Sequence, residues 1–267
     1  MTNEEKRIFL IQELLSEQPK YSGISTIPTD TAEQKKMLRS LLNVRLPITV
    51  NDEFLSVQDE YLKEETAARG ITELNCLTPV RNDLYLWQGD ITLLACDAIV
   101  NAANSGMLGC FQPCHGCIDN AIHTYAGIQL RLACAELMRE QGYDEPTGNT
   151  KITSAYNLPS KYVIHTVGPI VYDRLTETEC DRLASCYRSC ISLADKNGLN
   201  SIALCCISTG VFRFPNDKAA EIAVKTIAKY KEETNSKIKV IYNVFKNQDY
   251  EIYRKLLAEN RKAENRT

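Results

Sequence analysis

The sequence predicts a three-layer α/β/α domain with a mixed, mostly parallel six-stranded sheet, preceded by a helical extension. Three observations carry that expectation. From about residue 83 short β-rich runs alternate with longer runs of helical periodicity, the pattern that strand-crossover-strand units leave in a sequence. The run SIALCCIS (201–208) is apolar almost throughout, as a strand covered on both faces of a sheet requires. The composition, 44% hydrophobic and 24% charged over 267 residues, suits a packed core and argues against a disordered or collagen-like chain.

Residues 1–80 form the extension. NEEKRIFLIQELLSEQP sets Ile8, Leu10, Ile11, Leu14 and Leu15 on one helical face, with Pro19 as the stop. DTAEQKKMLRSLLNVRLP opens on Asp30 as N-cap and carries Met37, Leu38, Leu41 and Leu42. NDEFLSVQDEYLKEETAARG follows and stops at Gly70. No catalytic grouping is visible here, so the extension is expected to pack its apolar stripe on the main body, with a partner-binding module as the alternative. Residues 81–267 form the α/β part. Its expected strands are DLYLWQGD, DAIVNAA, KITSAYNL, KYVIHTVG, SIALCCIS and KIKVIYNVF, with helices near 119–140, 175–196, 216–233 and 248–262.

Charge and hydropathy exclude several function classes. With 31 Lys+Arg against 34 Asp+Glu the net charge is −3, and the cations are scattered among acids rather than gathered in a stripe. A nucleic-acid polymer is therefore not the expected partner, because its binding rests on counterion release by clustered cations. No run of about eighteen apolar residues exists, and the N-terminus lacks the basic-then-apolar order of a signal peptide. A cytoplasmic protein without a membrane partner is expected.

In such sheets ligands bind beyond the carboxyl ends of strands. Three strand ends stand out there: Gly89-Asp90-Ile91, Asn101 to Gly106, and Ser208-Thr209-Gly210-Val211-Phe212-Arg213-Phe214-Pro215. The last is a small-residue loop entering a helix, where backbone N–H groups and the helix start suit a phosphate or pyrophosphate, an ordinary strand-to-helix turn being the plain reading.

Eleven cysteines, an odd count, in a chain expected to be cytoplasmic point to free thiols, buried small hydrophobes or a metal site rather than a disulfide framework. Eight of them sit mostly in apolar or helical runs, where a buried free thiol is the ordinary reading. Cys110, Cys114 and Cys117 instead fall with His115 in GMLGCFQPCHGCIDNAIH, where Gly109, Pro113 and Gly116 permit tight turns. Cys110, His115 and Cys117 can wrap one ion, and thiolates with imidazole favour tetrahedral zinc. Three ligands leave a fourth position open, whereas Cys114 as a fourth would close the site. The rival reading is a redox Cys-x-x-Cys, Cys114 to Cys117, ahead of a helix. Asp119 is placed at the N-cap of that helix, which favours an ionised carboxylate. His123, on the helix, and His165, in an apolar strand, read as satisfied structural histidines, with a catalytic role as the alternative for each.

GDITLLACDAIVNAANSGMLG, GCIDNAIHTYAG, KITSAYNLPSKYVIHTVGP and ISTGVFRFP together closely resemble the macrodomain family over about residues 83–262. The Cys-His-Cys insertion resembles the zinc-containing branch, which carries a similar N-terminal extension and occurs beside a mono-ADP-ribosylating sirtuin and lipoyl-carrier proteins. The resemblance implies ADP-ribose as ligand and a mono-ADP-ribosylated protein as substrate, a lipoyl-carrier protein modified by a sirtuin among the candidates. It assigns Asp90, with Ile91 beside it, to the adenine amino group. Asn104 is assigned to the distal ribose with Asn101 supporting it, and Ser208, Thr209, Gly210, Val211 and Phe212 to the pyrophosphate and distal ribose. Phe245 is a candidate for stacking near adenine, and Asp119 matches the acidic position of the hydrolase-type loop.

The implied reaction is zinc-dependent hydrolysis at the anomeric carbon of the distal ribose, freeing ADP-ribose from an Asp or Glu side chain. Two thiolates cancel the charge of the ion, so generation of zinc-hydroxide alone is not the expected device. The expectation is that zinc orients the ribose or polarises the leaving group, while Asp119 positions or deprotonates the water. The alternative is a non-catalytic ADP-ribose reader with a structural zinc, and a dithiol oxidoreductase is a third possibility.

Overall fold

The computed structural model describes residues 1–17, 21, 23 and 26–264, with side chains to residue 258. Three helices open the chain: α1 (Asn3–Ser16), α2 (Thr31–Val44) and α3 (Asp52–Arg69). Each begins on a side chain that satisfies a free amide of its first turn: Thr2 accepts from Glu5, Asp30 from Glu33 and Asn51 from Phe54. Gly70, at φ +87°, ends α3. The stop expected at Pro19 lies outside the described residues.

Leu10, Ile11 and Leu14 of α1, Leu38, Leu41 and Leu42 of α2, and Phe54, Tyr61 and Leu62 of α3 make a core of their own, which Ile128 enters from the rest of the chain. This corrects the expectation that the stripe packs on the main body. Three amphipathic helices bury their stripes against one another, and much of the seam to the α/β part is left to polar bonds. Those bonds include Asn43 to Thr124, Gln58 to the Ile128 amide, and Arg131 to the Leu42 carbonyl.

Two short strands, β1 (Thr72–Glu73) and β4 (Leu94–Ala95), pair in parallel. The main sheet contains β2 (Pro79–Arg81), β3 (Leu84–Gln88), β5 (Ala98–Ala103), β6 (Thr150–Ser154), β7 (Tyr162–Val167), β8 (Ser201–Leu204) and β9 (Lys239–Val244). Its order is β2-β3-β9-β8-β5-β7-β6; the five inner strands are parallel, and β2 and β6 run antiparallel at the two edges. The sheet is thus mixed and mostly parallel, with one strand more than expected. The addition is β2, whose three residues opening on proline are too few to show a period of two. The helical part ends at Arg69, so residues 72–81 already pair with the α/β part.

The remaining helices are α4 (Ile118–Ala126), α5 (Ile128–Gln141), α6 (Glu177–Lys196), α7 (Asn216–Thr234) and α8 (Asn247–Glu264). Strand β7 is covered by helices from both layers: His165 reaches Cys134 of α5, and the Cys186 thiol of α6 reaches the Val167 carbonyl. The single helix expected near 119–140 is two, broken at Gly127, whose φ of +92° and ψ of 174° no side-chain-bearing residue adopts readily. Of the eight cysteines read as buried thiols, Cys96, Cys134, Cys186, Cys190 and Cys205 are buried, Cys180 and Cys206 are half-buried, and Cys76 is exposed. No helix among the described residues is long and apolar enough to cross a membrane.

Candidate functional site

Because β3, β9, β8 and β5 are adjacent and parallel, their carboxyl ends lie in one row. Asp90 follows β3, Phe245 follows β9, the 205–215 loop follows β8, and Asn104 follows β5. Three inter-strand steps make that row about 14 Å long. The residues singled out from four separate stretches of sequence therefore share one edge.

Asp119 marks the β5 end of the row. It is 4% exposed, and Asn101 Nδ2 donates to its Oδ1 at 2.8 Å while Asn104 Nδ2 donates to Oδ2 at 3.3 Å. Asn101 Nδ2 also lies 3.2 Å from His165 Nδ1. An amide nitrogen only donates, so His165 carries its proton on Nε2 and gives it to Thr153 Oγ1 at 3.0 Å. The structure corrects the placement of Asp119 at the N-cap. Cys117 is the N-cap, its Sγ accepting from the Asn120 amide, and Asp119 sits inside the first turn. Burial outweighs the two amide donors and pushes its carboxyl up to about 6, against the expectation of an ordinary ionised carboxylate.

His165 is satisfied, as a structural histidine should be. His123 is not: both ring nitrogens are buried and lack a hydrogen-bond partner among the described residues, with Nε2 at 3.6 Å from Asp119 Oδ1. Burial holds both imidazoles neutral, with His165 lowered to about 4. Cys134 completes a buried trio with these two histidines, but His165 already uses both nitrogens, so the trio does not offer three open donors.

The loop from Gly109 to Cys117 brings Cys110 Sγ, a His115 nitrogen and Cys117 Sγ within 4.8 Å of one another. Cys110 Sγ lies 3.6 Å from His115 Nδ1. Tetrahedral bonds of about 2.3 Å to sulfur and about 2.0–2.1 Å to nitrogen give a ligand-to-ligand separation of about 3.6 Å, so the donor set fits a zinc ion in kind and spacing. Cys114 is turned away from this group: its Sγ lies 3.2 Å from Ser40 Oγ and 3.4 Å from the Lys36 carbonyl of α2. That placement leaves three donors in the group, not four.

Further along the row, the β8 loop bends back sharply. Phe214 N–H donates to the Ser208 carbonyl at 3.0 Å, and Ser208 (φ +65°) and Arg213 (φ +60°) are left-handed. Val171 N–H donates to the Phe212 carbonyl at 2.9 Å, tying this loop to the one after β7. Among the described residues no acceptor takes the N–H groups of Gly210, Val211 or Phe212, and Ser208 Oγ is buried without a partner. Helix α7 starts directly behind, with Pro215 as N-cap. Amides turned outward beside a helix start can hold an anion.

At the β3 end, Asp90 Oδ1 accepts from Thr92 N at 2.9 Å and Thr92 Oγ1 at 2.7 Å, capping the turn Ile91–Leu93, and Ile91 is buried behind it. Its Oδ2 pairs with Arg69, whose guanidinium also lies 4.0 Å over the Tyr125 ring. Arg69 is a site residue that sequence reasoning missed, since nothing local marks the last turn of α3 as reaching Asp90. Phe245 is 74% exposed at the end of β9. Asn120 and Arg39 were missed as well: Arg39 of α2 donates to Asn120 Oδ1 at 2.8 Å and to the His115 carbonyl at 3.1 Å.

A Macro domain family profile matches residues 100–223. The chain is 58% identical over 97% of its length to a "Protein-ADP-ribose hydrolase" of Treponema medium, covering 100% of that protein. It is 48% identical, over 98% of each chain, to a protein of the same description from Staphylococcus aureus (strain MRSA252). The fold is similar to the crystal structure of the Trypanosoma brucei macrodomain in complex with ADP-ribose, with a TM-score of 0.64 and 32% identity over 82% of this chain and 94% of that one.

Proposed function

The chain belongs to the Macro domain family, and from that premise we propose that it is a hydrolase releasing ADP-ribose from modified protein, acting on carboxylate-linked mono-ADP-ribose with zinc in the Cys110, His115, Cys117 loop. The observation that carries the reading is Asp119, a buried carboxylate fixed by two asparagine amides beside three converging soft donors.

The row of strand ends then holds one ligand in extended form. Asp90 and Phe245 receive the adenine end. The free amides of Gly210, Val211 and Phe212 receive the pyrophosphate, with the start of α7 adding a favourable dipole. Asn104 and Asp119 face the distal ribose. Water adds to the anomeric carbon as the bond to the acceptor oxygen breaks, the acceptor leaves as a carboxylate, and Asp119 takes the proton from the water. Asn101 and Asn104 hold that carboxylate in place, and Asn101 is itself oriented by His165. Cys110, His115 and Cys117 would hold zinc, which would supply a Lewis-acidic position able to orient the ribose or polarise the leaving oxygen. We place the chain in the zinc-containing branch, with a lipoyl-carrier protein modified by a sirtuin among its substrates.

The test is release of free ADP-ribose from a carboxylate-linked mono-ADP-ribosylated protein, followed chromatographically with metal analysis of the same sample. Asp119→Ala is expected to lower turnover by about 10²–10⁴-fold while ADP-ribose binding persists. Unchanged turnover in that variant overturns the assignment of Asp119. A wild-type chain that binds the modified protein and protects the mark is a reader, not a hydrolase.

A further inference from the structure

We propose that helix α2 of the N-terminal extension is part of the metal centre, and that Arg39, Ser40 and Asn43 are positioning residues that hold the ligand loop in its binding geometry. The proposal rests on the reading of Cys110, His115 and Cys117 as zinc ligands and goes beyond it by giving the extension a task.

The loop that carries the three ligands has no regular secondary structure between β5 and α4. Its own backbone ties among the described residues are sparse, chiefly Met107 N–H to the Asn104 carbonyl and His115 N–H to the Gln112 carbonyl. Its three donor atoms lie within 4.8 Å of one another. Arg131 of α5 reaches the Leu108 carbonyl and the Phe111 ring, Asn120 of α4 reaches Cys110 and Gln112, and the contacts to Cys114 and to the His115 carbonyl come from α2.

Lys36, Arg39, Ser40 and Asn43 are spaced i, i+3, i+4, i+7 and form one polar stripe beside the apolar stripe of Leu38, Leu41 and Leu42. Each meets the loop or the helix that leaves it. Arg39 Nη2 donates to the His115 carbonyl at 3.1 Å, and Nε and Nη2 both reach Asn120 Oδ1, at 3.2 and 2.8 Å. Cys114 N–H donates to Asn43 Oδ1 at 2.9 Å, and Asn43 Nδ2 donates to Thr124 Oγ1 at 2.9 Å. Cys114 Sγ lies against Ser40 Oγ and the Lys36 carbonyl. Cys114 has a φ of +51°, a left-handed conformation that these contacts hold in place.

Asn120 carries the restraint inward. Fully buried, it takes Arg39 on Oδ1, donates from Nδ2 to the carbonyls of Gln112 (3.0 Å) and Cys110 (3.4 Å), and its own amide points at Cys117 Sγ (3.4 Å). All three ligand residues are thus bonded to Asn120 or Arg39: Cys110 and His115 through their carbonyls, Cys117 through its sulfur. Partners behind a ligand set ordinarily matter to metal affinity by about 10–100-fold.

The experiment measures zinc affinity of the full chain by competition with a chromophoric chelator, beside Tm and ADP-ribose affinity. Arg39→Met keeps the aliphatic stem and removes the bridge. It is expected to weaken zinc binding by about tenfold or more, with far less effect on affinity for ADP-ribose. Arg39→Lys, which can reach one acceptor but not both, is expected to fall between, and carries the test should Arg39→Met not fold. Asn51→Ala removes the cap of α3, which among the described residues makes no hydrogen bond or ion pair to the loop, and is expected to lower Tm while leaving zinc affinity unchanged. Wild-type zinc affinity in Arg39→Met overturns the proposal alone, as does equal zinc loss in Asn51→Ala. A wild-type chain that takes up no zinc overturns the metal reading and the proposal with it.

Discussion

A carboxylate, an imidazole and three thiols show how far residue type determines behaviour here. The donors Cys110, His115 and Cys117 are recognisable because soft ligand type and close spacing survive in one dimension. Asp119 is not readable that way: proximity to a helix start suggested an easily ionised group, whereas burial raises its carboxyl to about 6. Cys114 looks like a fourth ligand by spacing, yet its sulfur faces α2. Serine is a poor substitute for the thiolate, since its hydroxyl is harder and stays protonated. Cys110→Ser is therefore expected to lose both bound zinc and turnover, measured by metal analysis and ADP-ribose release. Zinc retained at wild-type level with full activity would point to another donor set.

Among the elements, caps and stops were legible because they are local. Asp30 and Gly70 both act where the sequence places them. The break at Gly127 was not, because the residues on either side continue a helical pattern and what demands the break is distant. A Cβ on Gly127 would lie 2.7 Å from Gln58 Nε2 and from Gln129 Oε1, and 3.0 Å from Asn157 Nδ2. These are the polar groups that join α3 to the α4–α5 corner, so glycine there serves both the turn and the seam. Gly127→Ala is expected to cost about 1–3 kcal/mol from backbone strain alone, before any displacement of those side chains. The check is chemical denaturation of the variant against the parent, and an unchanged midpoint with an unchanged slope would refute it.

For the molecule as a whole, strand order matters most. Parallel β3, β9, β8 and β5 bring Asp90, Phe245, the 208–212 loop and Asn104 to one edge, though they stand up to 155 residues apart in the chain (245 − 90 = 155). A ligand bridging that row binds only the folded chain. ADP-ribose at a hundredfold excess over its Kd is expected to stabilise the protein by about 2.7 kcal/mol, roughly 5–10 °C in Tm. Differential scanning fluorimetry measures this, and no shift at saturating ADP-ribose would count against the assigned row.

By itself the sequence determined the alternating α/β order, the helical character of residues 1–80 and the chemistry of individual side chains, because periodicity, caps and ligand types are properties of short windows. Tertiary structure alone decided that the extension keeps its own core, that Arg69 meets Asp90, that Asp119 is buried between two asparagines, and that Arg39 and Asn43 brace the Cys110–Cys117 loop. Each of these depends on two or more segments meeting in space. Burial and long-range pairing arise from how apolar faces close on one another, which no single stretch of this chain encodes.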